Sequence, residues 1–141
     1  MIRLLVALVV AGLTFGCADE SGPPLVAGNV SVMRPLPGTT TGAAYLELAS
    51  HSRNTIDITK VTSPEFAVVE MYETFIDDDI ARMRPLEKLS IAPGTTAIFE
   101  RGGKHLMLLR PYGTADYVTL QFYAGDLMLL SVRARFESAA D

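Results

Sequence analysis

Short alternating runs of apolar and polar residues, each closed by turn chemistry, dominate the chain beyond residue 28. Val118-Thr119-Leu120-Gln121-Phe122 and Val132-Arg133-Ala134-Arg135-Phe136 alternate strictly, so each presents one apolar and one polar face when extended. They belong to a set of runs rich in β-branched and aromatic residues at 29–34, 43–49, 57–61, 67–72, 80–82, 95–100, 105–109, 117–123 and 127–136. Between them lie Pro35-Leu36-Pro37-Gly38, Ser50-His51-Ser52, Asp77-Asp78-Asp79, Ala92-Pro93-Gly94, Arg101-Gly102-Gly103, Pro111-Tyr112-Gly113 and Ala124-Gly125-Asp126. Gly, Pro, Asp, Asn and Ser in such clusters favour turns. No long 3.6-residue period is present, so the pattern predicts an all-β sandwich or barrel.

The first residues follow a different rule. Met1-Ile2-Arg3 is followed by the apolar and small-residue stretch Leu4 to Leu13, and Gly16-Cys17 closes it. This predicts a signal peptide over 1–16, with an apolar run too short for a comfortable membrane span. Cys17 is the chain's one cysteine, placed after a small residue, so it is the expected lipidation site. Residues 17–27 are then a lipidated, Pro-rich tether, and 28–138 a single β domain. With Cys17 committed to the anchor, the domain has no thiol for a disulfide or a thiolate metal site.

The 141 residues suffice for one domain. A net charge of −4, with scattered Lys and Arg and no basic stripe, argues against a nucleic-acid partner. Enzymatic chemistry has little footing. No nucleophile accompanies His105, and Gly102-Gly103, expected in a hairpin, opens no helix and makes no phosphate loop. His51 is expected to be a solvated turn residue and Asp77-Asp78-Asp79 a hairpin turn, because no EF-hand spacing follows.

The distinctive chemistry is in Met83, His105 and Met107. His105 and Met107 are separated by one residue in an apolar run, so a strand projects both from one face. Thioether sulfur is a poor ligand for calcium, magnesium or zinc and a good one for Cu(I), and imidazole suits copper too.

Ten residues separate Tyr72 from Met83, twenty-one separate Met83 from His105, and one separates His105 from Met107. This frame resembles the PCuAC family of periplasmic copper chaperones, whose site follows His, ten residues, Met, twenty-one residues, His, one residue, Met. The local text agrees: Gly42-Ala43-Ala44-Tyr45-Leu46, Val69-Glu70-Met71-Tyr72-Glu73-Thr74, Met83-Arg84-Pro85-Leu86, Ile91-Ala92-Pro93-Gly94 and Gly102-Gly103-Lys104-His105-Leu106-Met107-Leu108 run in family order. The resemblance implies a cupredoxin-like Greek-key β-sandwich or barrel. It also implies a Cu(I) carrier in the periplasm or cell envelope, handing copper to an acceptor protein, with cytochrome oxidase assembly as the expected destination.

One position departs from the pattern. Tyr72 stands where the family has its first His, and a protonated phenol is a poor donor to Cu(I). Carried over residue by residue, Met83, His105 and Met107 are the expected ligands, with Tyr72 beside the ion or occluding the vacated place. Met71 could substitute only if a bulge turned it to the same face. Because the imidazole must be neutral to bind, affinity is expected to fall on acidification. The alternative is a metal-free structural or interaction lipoprotein that kept the fold and lost its cargo.

Overall fold

A computed structural model describes residues 22–137. Eleven strands form in chain order: β1 (Leu25–Met33), β2 (Thr41–Ser50), β3 (Ile56–Ile58), β4 (Lys60–Thr62), β5 (Phe66–Asp77), β6 (Ile80–Pro85), β7 (Leu89–Ile91), β8 (Thr96–Phe99), β9 (Lys104–Pro111), β10 (Tyr117–Ala124) and β11 (Leu127–Arg135). Among the described residues there is no helix. The main sheet runs β1-β2-β8-β9-β5-β4-β10-β11, with β6 paired to β5 and β9 also paired to β2. Its first and last strands come against each other, where the Glu137 amide donates to the Val32 carbonyl at 2.8 Å. The sheet is therefore a nearly closed barrel, and β3 and β7 form a separate two-stranded piece.

Alternation decides what the barrel encloses. In β2, residues Gly42, Ala44, Leu46, Leu48 and Ser50 point inward while the residues between them are half-covered. Leu106 and Leu108 of β9, Val118, Leu120 and Phe122 of β10, and Val32 of β1 complete a core from which water is excluded. Burying a side chain of this size is worth about 1.5–3 kcal/mol. Gly42 is required where it stands: a Cβ there would lie 2.7 Å from the Met33 carbonyl oxygen and 3.3 Å from Pro35 Cδ.

Several expected elements change in extent. The run 57–61 divides into β3 and β4, which join different sheets. Leu89–Ile91 is a strand that the pattern did not single out. Leu25–Ala27, expected to end the tether, opens β1, and Leu25 is fully buried. The run 67–72 extends to Asp77 and 80–82 to Pro85, building a hairpin whose turn residues Asp78 and Asp79 have φ of 49° and 61°. Positive φ at both central residues is the conformation that a two-residue hairpin loop demands, and Asp tolerates it. Beyond the barrel wall this hairpin is a ribbon, with β6 exposed along its whole length.

Gly102-Gly103 does not sit in a hairpin. Both β8 and β9 run antiparallel to β2, β8 along Leu46 to Ala49 and β9 along Thr41 to Ala44. They are two parts of one interrupted strand. Residues 100–103 are the excursion between them, closed by the Gly103 amide donating to the Glu100 carbonyl at 3.1 Å and the Glu100 amide donating to the Lys104 carbonyl at 2.7 Å. Gly102 takes φ 78° in that turn, a conformation open to glycine at no steric cost.

Candidate metal centre

The register between β5 and β9 sets the site. Tyr72 pairs with His105, Met71 with Leu106, and Glu70 with Met107, without interruption. Residues opposite one another in a sheet share a face. Because Leu106 and Leu108 are in the core, His105, Met107, Tyr72 and Glu70 lie together on the outer face. On the other flank of β5, Met83 of β6 pairs with Thr74, which is on the same face as Tyr72. Met83 is thus two strands across from His105 and two residues along, roughly 12 Å between Cα atoms by ordinary strand spacing and rise. Methionine and histidine side chains extended toward one another are long enough to span most of that separation.

Exposure grades across the face. Met83 is 59% exposed on the ribbon, whereas His105 is only 8% exposed, and Met107 and Tyr72 are half-buried. At the end of the 100–103 turn, the Gly103 carbonyl oxygen lies 3.1 Å from His105 Nδ1. A carbonyl can only accept, so Nδ1 carries the proton. In neutral imidazole that leaves Nε2 with its lone pair, ready to donate to a metal. The Tyr72 and His105 rings face one another with centroids 6.1 Å apart and planes 23° from parallel.

Tyr72 is held in its protonated form. The neighbouring Glu70 carboxylate, followed by burial and a hydrogen bond to Glu70, raises the phenol above the usual tyrosine range. Its oxygen is accordingly a still weaker candidate for a soft cation. Glu70 was not anticipated from the sequence, although its place two residues before Tyr72 was a usable signal.

Met71 is only 5% exposed and faces inward opposite Leu106. No bulge turns it round, so its sulfur belongs to the core. Behind the centre, on the opposite side of the sheet, Glu73 binds Arg84 at 2.7 Å and Lys104 at 3.5 Å. The Arg84 hydrogen bond leads in holding its carboxyl below the ordinary glutamate range. This cross-strand cluster ties β6, β5 and β9 together directly beneath the outer face. His51 is exposed in its turn, as expected, and Cys17 with the 1–16 stretch lies outside the described residues.

The family model described as "Putative lipoprotein LpqE-like" matches residues 25–124. The chain belongs to the LpqE-like family. A comparison with curated proteins gave no match. Among solved structures, the copper-bound PCuAC domain from PmoF2 is similar with a TM-score of 0.65 at 14% identity, covering 82% of this chain and 94% of that one. The apo PCuAC domain from PmoF1 gives 0.65 at 10% identity, covering 82% and 95%. Apo-DR1885 from Deinococcus radiodurans gives 0.51 at 21% identity, covering 99% and 97%. This member of the LpqE-like family therefore has the cupredoxin-like fold of the PCuAC domains, in a single all-β unit.

Proposed function

We propose that this protein is a cell-envelope carrier of Cu(I), holding the ion with Met83 and Met107 as thioether donors and His105 Nε2 as the nitrogen donor. The observation that carries the reading is the His105 arrangement: a nearly buried imidazole whose Nδ1 proton is spent on the Gly103 carbonyl, on one face with Met107 and across β5 from Met83. Fixing the tautomer by a backbone hydrogen bond is how proteins prepare a histidine to bind metal. Two soft sulfurs and one borderline nitrogen match Cu(I) better than any hard cation. The copper-bound state of a structural relative lends further support.

Tyr72, in the place of a fourth donor, covers one side of the ion without binding it. A three-donor site with an exposed Met83 leaves an approach for an acceptor's ligands, so copper passes by exchange without a free aqueous intermediate. The intended acceptor is a copper-receiving envelope protein, with cytochrome oxidase assembly the destination. Lipidation at Cys17, after removal of residues 1–16, would tether the domain to its membrane. The LpqE-like family's lipoprotein description supports that localisation.

Anaerobic titration with Cu(I) against a competing chelator tests the reading. One equivalent should bind per chain, and Met83→Ala and His105→Ala should each weaken binding at least tenfold, the lower end of what loss of a ligand-supporting group costs. Identical isotherms for wild type and both variants would instead favour a structural or interaction lipoprotein that retains the fold without its cargo.

A further inference from the structure

The outer face continues past Met107 to a third methionine with an unusual contact. Met33, the last residue of β1, pairs with Ala43 of β2, and Ala43 pairs on its other side with Met107 of β9. Since Val32, Ala44 and Leu106 are all in the core, the three alternate residues Met33, Ala43 and Met107 stand in one row on the outside. The outer two Cα atoms are then about 10 Å apart by strand spacing. Each thioether reaches about 4 Å from its Cα, and a metal–sulfur bond adds about 2.3 Å. The two sulfurs can therefore meet over one ion, and the small Ala43 side chain leaves the space between them open.

The Met33 sulfur is engaged. Arg101 Nη2 donates to it at 2.9 Å, and the same guanidinium lies 5.5 Å from the centroid of the Tyr45 ring. Tyr45 is two residues beyond Ala43 on the same face, one step past the end of the β2–β9 pairing at Ala44 and Leu106, which is the level of His105. One guanidinium thus joins the Met33 sulfur to the ring at that level. Thioether sulfur is a weak hydrogen-bond acceptor but a strong donor to Cu(I), so a soft ion displaces the guanidinium, which keeps the Tyr45 ring as a resting place. Arg101 also belongs to the turn whose Gly103 carbonyl orients His105.

We propose that Met33 is a further thioether donor for Cu(I), shared with Met107 across Ala43 and capped by Arg101 in the metal-free protein. The proposal rests on the carrier reading and supplies the donor that Tyr72 does not. It predicts two arrangements of the loaded protein: copper on Met83, His105 and Met107 near the ribbon, and copper drawn toward Met33 deeper on the barrel wall.

The test uses purified protein carrying 13C-methyl methionine, titrated with Ag(I) as a redox-inert stand-in, alongside Cu(I) competition. The Met33 methyl resonance, assigned from Met33→Leu, should shift on loading together with those of Met83 and Met107, while Met128 stays still. Met33→Leu should weaken Cu(I) binding about tenfold, the low end of the range for loss of a supporting group at a metal site. Ala43→Leu, which removes no donor but fills the gap, should reproduce that loss, and Arg101→Ala should tighten binding. If the Met33 methyl does not move and the Met33 and Ala43 variants match wild type while Met83→Ala and His105→Ala lose copper, Met33 is not a donor and the carrier reading stands. If wild type takes up neither ion, both fall.

Discussion

Replacing Tyr72 with histidine gives the most direct measure of whether the outer face of β5 and β9 is a copper centre. Tyr72 pairs with His105 across the strands, and the two rings stand 6.1 Å apart between centroids. Residues opposite one another on one face have Cβ atoms about 4.5–5.5 Å apart, a spacing from which two imidazoles can each turn a nitrogen toward one ion at an ordinary metal–nitrogen distance of about 2.0 Å. A histidine at position 72 is therefore placed to share an ion with His105 Nε2 without movement of either strand. Adding a direct donor should be worth no less than a supporting outer group, about 10- to 100-fold in affinity, or about 1.4–2.7 kcal/mol. Tyr72→Phe serves as the control and should leave affinity near wild type, because the protonated phenol contributes nothing to a soft ion. The assay is anaerobic Cu(I) competition with a chelator of matched affinity, with unfolding checked separately by circular dichroism. If Tyr72→His folds normally yet binds no better than wild type, the ion does not sit between these strands, and the transfer of ligand positions along the chain is refuted.

Two further outcomes follow from the barrel itself. Gly42→Ala forces a methyl to within 2.7 Å of the Met33 carbonyl oxygen, and since backbone rather than a flexible side chain must yield, stability should fall by about 1–3 kcal/mol. Urea denaturation reads this directly, and an unchanged midpoint would mean that β1 and β2 are spaced more loosely than the structure has them. Glu73 is held below the ordinary glutamate range, chiefly by its Arg84 hydrogen bond. Its stabilising contribution should thus be complete at pH values above that range and disappear as pH falls through the depressed value. Melting temperatures of wild type and Glu73→Gln should differ at neutral pH and converge in acid, and a gap that is constant with pH would contradict the linkage.

Alternation along the chain determined most of the architecture before any coordinates, because the two-residue period of a strand is written in which side chains are apolar. Val118, Leu120 and Phe122 are inward where the pattern puts them, and Asp77-Asp78-Asp79 turns where its chemistry favours a turn. Residue type and spacing likewise brought Met83, His105 and Met107 forward as candidate donors, since thioether and imidazole side chains that suit Cu(I) stand out in the chain. What the chain could not reveal was pairing between distant segments. That β8 and β9 run in series along β2, with the Gly103 carbonyl between them meeting the His105 ring, depends on a register that only the closed sheet sets. The inward orientation of Met71 follows from unbroken pairing with Leu106, which local sequence does not state. The row of Met33, Ala43 and Met107 joins residues up to seventy-four positions apart through two separate strand pairings. Side-chain neighbours on a barrel wall are chosen by hydrogen-bond register across strands, a long-range property of the folded sheet, whereas the inside and outside of each strand are properties of the strand alone.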